Sequence, residues 1–378
     1  MRAFDAIVIG VGGMGGSALY HLTRRGLRVL GIEQFHIGHD RGSSHGDTRI
    51  IRKAYFEHPA YVPLLHRAYA LWEDLQATAE EELIRCTGLL LVGRPEGQLI
   101  RGVRLAADEH NLHIECVPHG DLRKRFPGFV AGRGCEVLFE PGAGFLWVER
   151  CVHAHAAQAV GQGATIAVGQ TVRGWSGDQH GVIVHTDDQE YTAGHLVICS
   201  GAWTQTLLEG QALPLEVRRK VVLWFDARDD TYDVDRGCPV FAYDIDGGFY
   251  YGFPMLGNQE IKLAEHSGGR GVVDPDALDR TLQADDEVRV RRFATQHLPR
   301  VAPDIKRHSV CMYTMTPDEH FVIDRHRDHR CVYYAAGFSG HGFKFAPIIG
   351  SVLADLVVSG RTSEPIGFLS ASRPCIGC

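Results

Sequence analysis

No apolar run in this chain approaches the roughly 18 residues that a helix needs to cross a bilayer, so a helical membrane protein is excluded and no membrane partner is expected. Blocks of like charge are absent and the net charge is -7, which argues against a nucleic-acid surface. Repeats and low-complexity tracts are also absent, which excludes a solenoid. Lysine is scarce beside arginine, so a lysine in a suggestive place stands out. The ten cysteines form no disulfide framework, because a large intracellular core needs no covalent staples. Cys375 and Cys378 make a C-x-x-C at the end of the chain, but without a second pair or a βαβ context. They read as a frayed tail, and no metal is expected. The first strand begins by residue 5, so no signal peptide is expected and the cytoplasm is the default location. What remains is an ordinary globular composition, 44% hydrophobic and 22% charged, in 378 residues, enough for two domains.

The most informative segment is Asp5-Ala6-Ile7-Val8-Ile9-Gly10-Val11-Gly12-Gly13-Met14-Gly15. It is a short apolar strand, a GxGxxG turn and a helix start. A second apolar run, Val29-Leu30-Gly31-Ile32, ends on Glu33, about 20 positions past the turn. This spacing is the fingerprint for the adenosine half of a dinucleotide. Gly10 permits the tight turn, Gly12 lets a pyrophosphate approach, and Gly15 lets helix and strand pack closely. Free N–H groups at the helix start suit phosphates, and Glu33 suits ribose hydroxyls. The motif does not choose between NAD and FAD.

Further along, residues 61–77 read as an amphipathic helix, with Leu64, Leu65, Ala68, Leu71, Trp72 and Leu75 at spacings of three and four. Residues from about 150 to 203 form a second α/β passage: helix 153–160, strand 165–168, hairpin 181–193 and a buried strand, Leu196–Cys199, running into Ser200-Gly201-Ala202-Trp203. Residues 216–310 are rich in β-type aromatic runs, including Val221–Phe225 and Phe249–Pro254, followed by a helix near 285–298. The end returns to α/β, with strand Val332–Ala336, a Gly-rich turn at 337–342 and helix 346–358. Nucleotide-type and sheet-type segments alternate, which implies two interleaved domains.

Three segments carry chemistry. Gly42–Arg52 reads as a polar loop feeding a short helical run, with Arg49 and Arg52 on one face at i, i+3. Two guanidiniums there suit a carboxylate or an electron-rich ring. Cys311–Asp318 and Gly337–Lys344 are the other two. Taken singly, a buried Cys is usually inert core and a Lys after a turn is usually solvated.

Together, G-S-S-H-G-D-T-R-I-I-R (42–52), Y-Y-G-F-P (250–254), C-M-Y-T-M-T-P-D-E-H-F (311–321) and G-F-S-G-H-G-F-K-F (337–345) resemble the monomeric sarcosine oxidase family, which includes N-methyltryptophan oxidase and the peroxisomal pipecolate/sarcosine oxidases. The resemblance runs from Phe4 to about Arg373, in family order and spacing. It implies FAD, attached covalently through Cys311. It places Gly10, Gly12, Gly13, Met14, Gly15, Glu33, Arg41, Ser43, Ser44, His45, Thr48, Arg49, Gly201, Trp203, Met312, Gly337, Gly340, Gly342 and Lys344 around FAD, with Val172 at the adenine end. The helix after the 337–344 turn would face the ring's pyrimidine edge and favour its anionic reduced form.

The resemblance further implies that Arg52 and Lys344 hold the substrate carboxylate, with Tyr313 and Gly340 also at the substrate. Lys262, His266, Arg49 and Tyr251 match catalytic positions: Lys262 for activating dioxygen, Arg49 against the flavin's other face, His266 beside the amine, Tyr251 around the bound substrate. Ser44 departs from the bacterial sarcosine oxidases, which often carry a second His before His45. Segments such as Ile51–Tyr55, Asp121–Pro127 and Asp324–His326 look closer to the pipecolate/sarcosine group. No S-K-L-type tripeptide ends the chain.

The implied fold is α/β (α+β overall): a Rossmann-like FAD-binding domain of the D-amino-acid/sarcosine oxidase type from residues 1–76, 141–215 and 316–378, interleaved with a mixed β-sheet substrate domain from 77–140 and 216–315. The implied function is oxidation of sarcosine or another N-methyl amino acid by dioxygen, in a monomer. The alternatives are a cyclic amino acid such as pipecolate or proline as substrate, a flavin dehydrogenase of the same fold, or a flavoprotein kept for binding or redox sensing. Peroxide formation separates the oxidase from the dehydrogenase, and substrate-dependent bleaching separates both from the sensor.

Overall fold

The computed structural model describes residues 3–178, 180–208 and 210–376; Cys378 of the terminal pair lies outside them. The fold is built on two large sheets. In the first, Ala3–Ile9 lies between Val29–Glu33 and Glu190–Ile198, parallel to both. Thr165–Val168 adds to the edge of Val29–Glu33, and Val332–Ala336 adds beside Glu190–Ile198. The central strands are apolar on both faces, as a sheet covered on both sides requires. One face is covered by helices Gly13–Arg24, Val148–Gly161, Val62–Gln76 and Ala346–Ser359. Trp175, Val182, Val184 and Tyr191, from the antiparallel segment that follows, cover the other.

The tight entry to the first helix depends on glycine. Gly10 has φ +83°, and a Cβ on Gly15 would lie 1.7 Å from the Gly10 carbonyl oxygen. Any side chain at Gly15 would push the helix off the strand.

The second sheet is mixed and has nine strands. Its register sorts the residues by face, because directly opposed residues point the same way and neighbours alternate. Lys220 lies opposite Cys311, Trp224 opposite Lys262, and Val222 opposite Ala264. Ala264 lies opposite Tyr251, Tyr251 opposite Ala242, and Ala242 opposite Leu91. These side chains therefore share one face. The other face carries Leu90, Leu223, Phe225, Phe241, Tyr243 and Leu263, packed under helix Ala284–His297 through Val290, Phe293 and Ala294. The second sheet thus spends one face on its own core and keeps the other for a site.

A third, three-stranded antiparallel sheet joins Thr48–Ile51, Gly144–Trp147 and Ile84–Cys86. This corrects the helical reading of the 42–52 segment. Ile50 and Ile51 are β-branched, and pairing with Phe145 and Gly144 draws the run into a strand. Arg49 and Arg52 do not form an i, i+3 helical pair; Arg52 follows the strand's last residue.

Elsewhere the expected elements appear with small shifts, including helices Val62–Gln76 and Ala284–His297 and strands Thr165–Val168 and Val332–Ala336. The nine described cysteines are all unpaired. Among the described residues no helix is long and apolar enough to cross a membrane.

Candidate active site

The free face of the second sheet and the C-terminal ends of the first sheet's parallel strands enclose one cavity of about 460 Å³. Ligands of open α/β sheets bind at such strand ends.

At one end lie Gly10, Gly12, Gly13, Met14 and Glu33. Helix Gly13–Arg24 has no side-chain cap on its N-terminus and no acid in its first turn. The Gly13 N–H donates to Ser44 Oγ (3.3 Å), and the rest of this N-terminus suits an anion. Within 4 Å a Cβ on Gly12 would meet only Ser44 Oγ, at 3.8 Å, so the backbone is open to a ligand at that residue. Glu33 accepts hydrogen bonds from the backbone N–H of Val11 (2.9 Å) and Phe35 (3.1 Å) and faces His39. Burial pushes its carboxyl up, but the hydrogen bonds and His39 outweigh this and lower it overall. A carboxylate fixed at the end of the second strand is what a ribose requires. Val172, Gly201 and Trp203 line the same end. FAD would fit this lining: the N-terminus of helix Gly13–Arg24 would hold its phosphates and Glu33 its ribose.

At the other end the walls are Tyr251, His266, Tyr313, Phe249, Phe56, Leu89, Leu91 and Ala242. Phe56 and Phe249 stack with centroids 5.4 Å apart. The Tyr313 hydroxyl is 3.4 Å from Tyr251 Oη and 3.4 Å from His266 Nδ1. Burial, then the Lys220 cation, holds the His266 imidazole down at about 3, so it is neutral at ordinary pH. Burial pushes the Tyr313 hydroxyl well above its usual range. Gly340 (φ +80°) presses on Tyr313, since a Cβ there would lie 2.2 Å from the ring.

Two cations close this end. Arg52 is 5% exposed and Lys344 is 5% exposed. Lys344 Nζ donates to the His341 carbonyl (2.6 Å), and burial, reinforced by Arg52, holds it down at about 7. Arg52 already has an anion. Its Nη2 lies 2.7 Å from both oxygens of Glu57, and Nη1 donates to the Ala54 carbonyl. Burial would push the Glu57 carboxyl up, but Arg52, His341 and Lys344 bring it down to about 2. Arg49 also reaches the cavity while donating to the carbonyls of Thr48 (2.9 Å) and Ser43 (2.8 Å).

Six of the expected residues do not line this cavity. Gly15 is buried at the helix–strand contact. Arg41 is exposed and its carbonyl accepts from Arg280. His45 is buried, with Nε2 at the Gly42 carbonyl and Nδ1 at Ser309 Oγ. Thr48 is buried and receives Lys262. Cys311 is buried next to Met312, which does line the cavity. Lys262 lines a second cavity, of about 230 Å³, with Trp147, Trp224, Phe253 and Arg307. Its Nζ donates to the Gly46 carbonyl, to the Thr48 carbonyl (2.8 Å) and to Thr48 Oγ1 (3.2 Å). The remaining expected residues, Ser43, Ser44, Gly337 and Gly342 among them, all line the main cavity.

Sequence reading missed Glu57, Phe56 and Lys220. None belongs to a motif. Each is marked only by contacts that the folded chain creates.

A family model described as FAD dependent oxidoreductase matches residues 5–356. The chain is 40% identical to a monomeric sarcosine oxidase of Streptomyces avermitilis, over 98% of this chain and 97% of that one. It is 35% identical to an N-methyl-L-tryptophan oxidase of Yersinia pestis, over 93% and 94%. Among solved structures, NikD, an unusual amino acid oxidase essential for nikkomycin biosynthesis, is 26% identical with a TM-score of 0.88 over 98% of each chain.

Proposed function

The chain belongs to the FAD-dependent oxidoreductase family, and from that premise we propose that it is an amine oxidase acting on sarcosine or another N-methyl amino acid. The substrate, water and dioxygen would yield the demethylated amino acid, formaldehyde and hydrogen peroxide. Bound FAD supplies the two-electron acceptor for the amine carbon and the donor for dioxygen.

The observation that carries the reading is one cavity joining a dinucleotide cradle to an aromatic chamber with two buried cations, Arg52 and Lys344. The cations suit a carboxylate. The chamber suits the apolar part of the substrate and excludes water. Neutral His266, which carries one N–H but no positive charge, suits the unprotonated amine that must lose electrons. We read the two large sheets as the FAD-binding and substrate domains. Anaerobic titration of the yellow protein with sarcosine, N-methyltryptophan, pipecolate and proline tests the reading. Bleaching by an N-methyl amino acid, with peroxide released on admitting air, is expected. Bleaching by the cyclic compounds alone moves the substrate to that class, and absence of any bleaching refutes the reading.

Cys311 is proposed to carry the flavin. Supporting this, it lies on the site-facing side of the sheet beside Met312. After acid denaturation and gel electrophoresis the protein band is expected to fluoresce, and Cys311→Ala to remove the fluorescence. Flavin recovered wholly in the supernatant of the parent protein would sink the assignment.

A further inference from the structure

We infer that Lys220 is a positioning residue for the substrate chamber, fixing the turn at 266–269 and through it the His266 imidazole against Tyr313. Lys220 is 5% exposed, yet it forms no ion pair among the described residues. Its Nζ instead donates to three successive carbonyls, His266 (2.7 Å), Ser267 (2.8 Å) and Gly268 (3.2 Å). Three acceptors match the three donors of an ammonium. The turn is shaped around this cation. Gly268 and Gly269 have φ +67° and +106°, and a Cβ on Gly269 would lie 3.0 Å from Lys220 Cδ. A turn that only had to close could have been capped by water or a hydroxyl. This one is capped by a charge taken out of solvent, a desolvation cost that the three hydrogen bonds offset only in part.

What it serves is legible in the contacts. The His266 backbone is held on both sides, its N–H by the Phe249 carbonyl (2.7 Å) and its carbonyl by Lys220. The imidazole packs on Tyr313 at 5.5 Å between centroids and on Phe249 at 5.4 Å. Lys220 Nζ also sits 5.0 Å from the centre of the Tyr313 ring, so the same cation orders both partners of the His266–Tyr313 contact. Its charge opposes protonation of the imidazole. The other charges acting on His266 are Glu57, His341 and Lys344, of which only Glu57 favours the proton. Around Lys220 stand Glu265, itself paired with Arg289, then Cys311 across the strand pair and Arg218. Burial holds the lysine down at about 8.

The inference rests on the amine-oxidase reading only for what His266 faces, and its test is independent of turnover. Long-range ¹H–¹⁵N NMR of the purified enzyme, with the signal assigned by its loss in His266→Gln, follows the imidazole directly. In the parent it should stay neutral to pH 5 and below. In Lys220→Met its midpoint should rise by about a unit or more, and Lys220→Arg should bring it back. The acid limb of kcat/KM for the amine should move with the midpoint. An unchanged His266 titration in Lys220→Met would reduce Lys220 to a structural cap. If Lys220→Met does not fold, the parent decides alone: the neutral imidazole's nitrogen shifts should step near pH 8 as Lys220 loses its proton, and a flat trace from pH 6 to 10 overturns the inference. Failure of every amine to bleach the enzyme would defeat the functional reading and leave the NMR result standing.

Discussion

Replacing Lys262 by methionine is expected to slow reoxidation of the reduced enzyme by dioxygen on the order of 10² to 10³-fold, while anaerobic reduction by substrate changes little. Lys262 sits outside the substrate chamber and on the other side of the Gly46–Thr48 segment, in the smaller cavity. Burial, reinforced by the Arg49 charge, holds its amine well below the usual range. The acceptor set argues for the charged form. Two carbonyls and one hydroxyl surround Nζ, and an ammonium has three protons to donate where a neutral amine has two. The rings of Phe253 and Trp224 lie 4.5 and 5.5 Å away and favour a cation further. A fixed positive charge in a dry site stabilises the negative charge that dioxygen acquires as it is reduced, and no reorganisation is needed when it does. Methionine keeps the apolar stem and removes the charge. Stopped-flow measurement of the two half-reactions separates the roles. Equal losses in both would make Lys262 structural, a holder of the Gly46–Thr48 segment.

Much of the site could be read before folding, and the reasons are local. The strand, turn, helix and acid at 5–33 are contiguous, so their spacing alone sets Gly10, Gly12 and Glu33 around one cavity. In the second sheet, alternation sorts each strand's residues into two faces, but the interstrand register is what puts Tyr251, Lys262 and Cys311 on the same one. The failures came where a partner distant in sequence decides. Arg49 and Arg52 stand at helical spacing, but Phe145 and Gly144, about 95 positions away, make the segment a strand. Lys220 looks like one more strand lysine until the 266–268 carbonyls close on it. Glu57 looks like a loop acid until Arg52 is seen to hold it.

Removing either chamber cation is expected to weaken binding of a carboxylic-acid inhibitor such as methylthioacetate by about 2–5 kcal/mol, because a buried carboxylate would keep only half its partners. The measurement is the inhibitor's Kd for Arg52→Ala and Lys344→Ala, read from perturbation of the flavin spectrum. Glu57 sharpens the prediction. It occupies the guanidinium edge that an incoming carboxylate would use, at 2.7 Å from both oxygens, so the parent's affinity already includes the competition. Glu57→Gln should therefore bind the same acids more tightly than the parent. The pH dependence follows from Lys344. Its charged form is lost as pH rises through about 7 in the free protein. An anion favours the charged form, so above that pH binding must draw a proton from solvent, and affinity should fall toward tenfold per unit. Below it the profile is flat. Lys344→Ala should abolish the slope and Lys344→Arg should shift it out of range. If both alanine variants bind the acids as tightly as the parent, and the slope survives in Lys344→Ala, the carboxylate is held elsewhere. The preference for an amino acid over a simple amine then rests on Arg49 alone among the described cations that line the chamber, and the Arg52–Lys344 clamp is refuted.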